Sequence, residues 1–292
     1  MRDSAVLLVD CPDRKGLVAR VAGMLYERGA NILHADQHQD HTLGLFFMRV
    51  EWGLELAGTD GAAVEQFDLD EFRTAFAALA AEFGMRWKLS ARTRRPRMAL
   101  FCSQYLHCTS DLLQRWRAGE LECEIPLIVS NHREVERLAE FYGIPFEYVP
   151  VTAATRAEGE ARQMELLARH EVELVVLARY MQILSAEFVG RYPQAIINVH
   201  HSFLPAFTGA RPYHAAHARG VKLIGATSHY ATEVLDDGPI IEQDVARISH
   251  RDQVEDLVAR GRDLERMVLA RAVRLHLDRR ILCYGNKTVV FD

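Results

Sequence analysis

The sequence predicts an α/β protein in two parts: an N-terminal ferredoxin-like βαββαβ unit, then an open, mostly parallel α/β sheet. Three observations predict it. Residues 1–90 order their periodic segments as strand, helix, strand, strand, helix, strand. Residues beyond 97 alternate strands with helices, and strands such as Val172-Glu173-Leu174-Val175-Val176-Leu177 are nearly continuous in apolar residues, as expected where helices cover both faces. Between them, 89–97 (LSARTRRPR) lacks apolar periodicity and holds a proline, so the linker is placed at 91–97 and the second domain at 98–292.

The elements follow in order. Strand 4–10 leads into helix 14–28, where Leu17, Val21, Met24 and Leu25 recur at helical spacing, with Asp13 as a candidate N-cap and Gly29 beyond the C-terminus. Strands 31–38 and 43–52, helix 68–83 and strand 85–89 complete the unit. The second part gives strand 98–103, helix 109–117, strand 125–130, helix 134–142, strand 146–149, helix 156–169, strand 172–177, a segment at 186–191 and strand 195–199. The pattern then changes to two long strands, 223–231 and 239–247, and helix 252–276. No internal repeat or low-complexity segment interrupts this order.

Bulk properties exclude several classes. A length of 292 residues suits about two domains of ~150 residues. The 49% hydrophobic and 26% charged content is ordinary for a globular chain with a substantial core. A net charge of −5 carries no footprint for nucleic acid, and the basic run Arg92, Arg94, Arg95, Arg97 reads as a solvated linker. The five cysteines (Cys11, Cys102, Cys108, Cys123, Cys283) form no Cys-x-x-Cys pair, so neither a disulfide framework nor a zinc ribbon is expected, and reduced thiols fit a cytoplasmic location. Neither a signal peptide nor an apolar run of the ~20 residues that span a bilayer is read.

The chemistry concentrates in two stretches. Asn198-Val199-His200-His201-Ser202 stands at the expected carboxyl end of a buried strand, where open α/β sheets place their ligands. Leu235-Asp236-Asp237-Gly238-Pro239 sets a carboxylate at a tight turn between two strands. Asn198 and His200 are two apart and share one face of an extended segment. Asn198 can donate its amide to an oxyanion, and a charged His200 can donate too. Asp236 opposite them could hold that histidine protonated and orient a water. An amide, a histidine and an aspartate on one carbonyl make a site for formyl transfer or formyl hydrolysis. Taken singly, the histidines could be structural and Asp236 a turn residue; their occurrence together favours function. His200, His201, His214, His217 and His229 crowd together, but without a His-Glu-x-x-His pattern or helical i, i+4 pair no metal is expected.

These residues carry a family resemblance. NVHHSFLPAFTGA (198–210) resembles the Asn-x-His and Ser-x-Leu-Pro signature of the formyltransferase fold, and HYATEVLDDGPII (229–241) its second motif, which selects Asp236 over Asp237 at a spacing of 38 residues from Asn198. VLARYMQILS (176–185) resembles the folate-binding stretch, implying a pterin slot lined by Leu177, Tyr180, Met181, Ile183, Leu184 and Val189. With CPDRKGLVARV (11–21), FFMRVE (46–51), VSNH (129–132) and HHSFLPAF (200–207), the whole chain resembles the formyltetrahydrofolate deformylase family. Thr208, Arg211, Ala231 and Val234 depart from the expected pattern, away from the three catalytic positions.

The resemblance implies hydrolysis of 10-formyltetrahydrofolate to tetrahydrofolate and formate, with catalytic residues Asn198, His200 and Asp236 and no cofactor. It implies an ACT domain over 1–90, a fold that commonly binds amino acids between subunits. An amino-acid effector site is therefore expected at Asp13, Arg14, Gly16 and Asn31, together with a homo-oligomer; the alternative is that Asp13 only caps the helix and Asn31 only shapes a turn. Two further readings stay open: a folate-dependent formyltransferase acting on an amine, and a non-catalytic amino-acid-binding protein. Against the first, loop 103–111 (SQYLHCTSD) lacks a glycine to bring backbone N–H groups onto a phosphate, and Asp111 would repel one.

Overall fold

The computed structural model describes residues 3–55, 66–206 and 212–291; Thr208 and Arg211 lie outside them. Contacts divide the chain into two compact units, Met1–Arg94 with Arg279–Leu282 and Val289–Asp292, and Arg95–Asp278 with Cys283–Thr288.

The first unit runs β1 (Ser4–Pro12), α1 (Leu17–Tyr26), β2 (Ile32–Asp40), β3 (Leu45–Gly53), α2 (Leu69–Phe83) and β4 (Arg86–Ala91). Its antiparallel sheet has the order β2-β3-β1-β4. Leu17, Val21 and Leu25 of α1 and Phe72, Phe76 and Leu79 of α2 join Trp52 and Phe67 in one buried core. This apolar burial is what holds a small split unit together. Helix α2 starts where Asp68 accepts the N–H groups of Asp70 and Glu71. Helix α1 differs from expectation: it begins at Leu17 after a left-handed Gly16, with no side-chain cap. Asp13 is not its N-cap, because its carboxylate accepts Gln39 Nε2 at 3.2 Å and its N–H donates to Gly44 O.

The second unit runs β5 (Arg97–Cys102), α3 (His107–Arg117), β6 (Glu124–Ser130), α4 (Glu136–Tyr142), β7 (Phe146–Tyr148), α5 (Arg156–Arg169), β8 (Leu174–Ala178), α6 (Ala186–Arg191), β9 (Ile196–His200), α7 (Pro212–Arg219), β10 (Leu223–Tyr230), β11 (Ile240–Arg247) and α8 (Val254–Leu277). Its sheet has the order β11-β10-β9-β8-β5-β6-β7. Strands β7, β6, β5, β8 and β9 are parallel, and β10 and β11 are antiparallel additions. The fully buried strand β8 packs between covering helices, with Phe101, Val129, Leu166 and Phe188 around it. The chain leaves β5 toward β6 and returns as β8 on its other side, so the strand order reverses between β5 and β8. In an open α/β sheet that reversal opens a crevice at the carboxyl ends of the strands.

A hairpin of β12 (Ile281–Tyr284) and β13 (Lys287–Val290) ends the chain. Sequence periodicity gives no sign of it, and 98–292 reads there as one domain. Instead 279–282 and 289–292 cluster with the first unit, where the buried Arg49 donates Nε–H to Arg279 O at 3.0 Å.

Candidate active site

Strand register builds the site. Asn198 of β9 lies directly opposite His229 of β10, and His200 opposite Thr227. Opposed residues point to the same side of a sheet, so Asn198, His200 and His229 share one face. The register of β10 on β11 shifts between Ser228 and His229, the kind of bulge that re-aims a side chain.

The aspartate arrives from the connection between β10 and β11. Asp236 has a left-handed backbone, φ 55°, which aspartate tolerates better than most residues. Two residues on, a Cβ at Gly238 would collide with the Tyr230 carbonyl oxygen, so only glycine lets the turn close this tightly. The turn delivers Asp236 Oδ2 to 3.2 Å from His200 Nδ1 and Oδ1 to 3.7 Å from His229 Nε2. Burial raises the Asp236 carboxyl, but hydrogen bonds and charge from His200 and His229 outweigh it and leave the group far below the usual carboxylate range. The neighbouring Asp237 is exposed.

Hydrogen bonds orient the other two groups. His229 Nδ1 lies 3.0 Å from Tyr230 O, and its Nε2 lies 3.1 Å from Asn198 Nδ2. Its Nε2 thus faces both the Asn198 side-chain amide and the Asp236 carboxylate. The Asn198 amide then presents its NH₂ there and keeps a second N–H for a ligand. His200 is buried, and its Nε2 has no hydrogen-bond partner among the described residues. His229 was missed as an orienting group in the sequence, although it opens the second motif; only pairing of β9 with β10 sets it against Asn198.

An open cleft adjoins these groups, lined by Leu177, Gln182, Ile183, Leu184, Val189, Asn198, His229 and the segment Ala231–Asp236. Four of the six residues expected around a pterin therefore line it. Tyr180 and Met181 do not. Tyr180 sits between two left-handed residues, Arg179 (φ 62°) and Met181 (φ 59°), which turn its ring inward to meet Phe101 edge-on at 5.3 Å. Its hydroxyl accepts Gln163 Nε2 at 2.6 Å, and burial pushes its pKa up to about 12. Met181 is 51% exposed. Gln182 and the 232–235 segment were not anticipated. The lining loop is held from helix α5: Arg156 donates to Ile183 O at 2.6 Å, and Glu160 accepts Ser185 N–H at 3.0 Å.

The remaining expected positions are scattered. Asp13, Arg14, Gly16 and Asn31 are all exposed, and no hydrogen bond or ion pair among the described residues joins any two of them. Asp111 is tied to Arg115 at 2.7 Å on helix α3, so its charge is neutralised and the expected repulsion of a phosphate weakens. Among the described residues, His107, Cys108 and Glu265 are the ligand atoms grouped closely enough for a metal. The Arg179 guanidinium beside Glu265, and burial that pushes the Cys108 thiol well above its ordinary value, both work against a cation there. Among the described residues no helix is long and apolar enough to cross a membrane.

With this geometry in place, comparison with known proteins is direct. The formyl transferase family profile matches residues 96–273 and the ACT domain profile residues 5–51. A formyltetrahydrofolate deformylase of Synechocystis is 53% identical over 290 residues, covering 99% of this chain and 98% of the relative. The chain belongs to the formyltetrahydrofolate deformylase family. A crystal structure of the deformylase from Pseudomonas syringae superposes with a TM-score of 0.93 at 47% identity, covering 100% of this chain and 95% of that one. Glycinamide ribonucleotide transformylase 1 from Symbiobacterium toebii matches with a TM-score of 0.64 at 28% identity, covering 70% of this chain and 98% of its own. The expected fold class holds in both parts: an ACT domain and a formyltransferase-type α/β domain. The chain is a hydrolase of the deformylase type.

Proposed function

We propose that this chain hydrolyses 10-formyltetrahydrofolate to tetrahydrofolate and formate, with the pterin in the cleft between Leu177 and Asp236. The observation that carries the reading is the contact of Asp236 with His200 at 3.2 Å while His200 Nε2, buried, has no hydrogen-bond partner among the described residues. Water adds to the formyl carbon, and the carbonyl oxygen gains negative charge. The free Asn198 N–H and a protonated His200 Nε2 donate to that oxygen, preorganised and largely out of water, where such donors act most strongly. Asp236 holds His200 through Nδ1–H and orients the attacking water with its other oxygen. The C–O bond forms first, giving a tetrahedral adduct; as its oxyanion returns to a carbonyl, the C–N bond to the folate nitrogen breaks. One water proton ends on that nitrogen, the other passes to solvent, and formate leaves as an anion. His229 acts through Asn198 as a positioning residue.

The reading extends to the first unit and to the cell. The ACT profile supports a free amino acid as effector, bound through Asp13, Arg14, Gly16 and Asn31 near the N-terminus of α1, where N–H groups favour a carboxylate. Residues 1–90 mediate self-association, the reaction needs no cofactor, and the protein works in the cytoplasm without nucleic-acid or membrane partners. The test is turnover of 10-formyltetrahydrofolate with and without an acceptor amine, reading formate and formylated amine separately. Formate release independent of the amine is expected; product formed only with the amine would make the chain a transferase, and no product at all a non-catalytic binder. Titrating each common amino acid into the same assay, with sizing of the chain, tests the effector and the oligomer.

A further inference from the structure

We propose that the crevice outside the carboxyl ends of β5 and β8 is a binding site for a small carboxylate. It is a cavity of about 250 Å³ distinct in its lining from the folate cleft. Tyr105 and His107 reach it from the segment after β5, Arg179 from the end of β8 and His201 from the end of β9; α8 closes it with Arg262 and Glu265. The site thus stands at the reversal of strand order, where open α/β sheets bind ligands.

Its charges are unbalanced in one direction. Glu265, almost wholly buried, already has its partners: His107 Nε2 at 2.7 Å from one oxygen, Tyr213 OH donating at 2.7 Å to the other, and Arg179 Nε at 3.5 Å. Burial raises the Glu265 carboxyl, but His107, Arg179 and Tyr213 together bring it below its ordinary value, so it is ionised and spoken for. A Cβ at Gly261 would run into the Tyr213 ring; glycine there lets the hydroxyl reach Glu265. Two guanidinium groups therefore face one carboxylate.

Arg179 supplies the second observation. Its side chain is nine-tenths buried and its guanidinium lies 5.2 Å from the Tyr105 ring centre; Nε reaches only the 3.5 Å ion pair with Glu265, and Nη1 has no hydrogen-bond partner among the described residues. Buried charged donors left without acceptors are costly and uncommon in native proteins. The left-handed backbone at Arg179 holds it in this place, a strain that needs a compensating use. A planar guanidinium over a ring, with its Nη1 donors unspent among the described residues, matches a carboxylate. The His201 ring lines the cavity and sits 5.0 Å from the His200 ring, so the crevice adjoins the reacting centre. The formate released by the hydrolysis proposed above is the nearest source of such an anion, and to that extent the source rests on that reading. A free amino acid carries the same group.

Binding is measured on the full chain without folate, so its outcome is independent of turnover. ¹³C-formate titrated at constant ionic strength is expected to show saturable line broadening that acetate reverses. Arg179→Gln should weaken binding by about tenfold or more, and Arg262→Gln, an exposed change that folding tolerates, by about threefold. Circular dichroism verifies each variant, and Arg262→Gln carries the test if Arg179→Gln does not fold. Formate inhibition of turnover should weaken in the same order. Alanine binding more tightly than formate, with the same two dependences, keeps the carboxylate site and assigns it to an amino acid. No saturable formate binding, binding indifferent to Arg262→Gln, or inorganic phosphate binding more tightly than either carboxylate would overturn the proposal.

Discussion

The cleft end of β9 and β10 and the loop that opens α1 both carry polar residues expected to act, yet they differ in how the chain holds them. In the cleft, Asn198, His200, His229 and Asp236 come from three segments and are locked within hydrogen-bond reach by strand register and a glycine-dependent turn. At α1, Asp13, Arg14, Gly16 and Asn31 stand exposed, and Asp13 is engaged by Gln39 instead. A buried, mutually oriented set can stabilise a transition state by itself. An exposed set in one unit needs a ligand, or a second subunit, to become a site.

The sharpest way to break the comparison is at the cleft. His200→Ala and Asp236→Asn, and Asn198→Ala beside them, are each expected to lower the hydrolysis rate on the order of 10²–10³-fold, with folate binding kept. Near-normal turnover of either His200→Ala or Asp236→Asn would remove the cleft's claim to be the reacting centre. His229→Ala, which frees the Asn198 amide, should cost on the order of tenfold to a hundredfold in kcat with a smaller change in KM, since displacement of a positioned donor has that range.

Gly238→Ala probes the turn, because a Cβ there must push Tyr230 or the turn aside. Roughly 1–3 kcal/mol of stability should be lost, read by denaturant unfolding, with a drop in turnover as Asp236 shifts. Acid titration addresses the same residue. The Asp236 carboxyl is lower in the folded chain than its unfolded value of 3.8. Its contribution to stability is therefore fully present above that value and is lost as pH falls through the acid range below it. Asp236→Asn should flatten that part of the stability profile; an unchanged acid slope would show that the His200 contact contributes nothing.

The smallest effect is expected at α1. Asp13→Ala and Arg14→Ala, both at exposed positions, should move stability by no more than about 0.5 kcal/mol, while any response of turnover to amino acids disappears. A response that survives both changes would move the effector site elsewhere.

Much of this was legible before any coordinates. The order of elements in 1–90 followed from hydrophobic periodicity, and the site's location from a polar cluster at the end of an apolar strand. Leu177, Ile183, Leu184 and Val189, which line the cleft, were expected together through the family resemblance of the stretch at and after the end of β8. Tyr180 lies away from the cleft for a local reason: left-handed residues on both sides turn it inward, and no propensity announces a residue flanked in that way. The sequence alone starts α1 three residues early because Asp13 is a good capping residue by type, while a distant Gln39 takes its carboxylate.

By itself the sequence determined the α/β class and the two-part order and singled out Asn198, His200 and Asp236 as candidates, since these rest on periodicity and on motifs within a few residues. Only the tertiary structure decided that His229 faces Asn198, that Glu265 of α8 meets His107 and Tyr213, and that Arg179 ends beside them in an ion pair with Glu265. Those pairings join residues 31 to 158 positions apart. Their partners are chosen by strand order and helix packing, which close distances that no local pattern encodes.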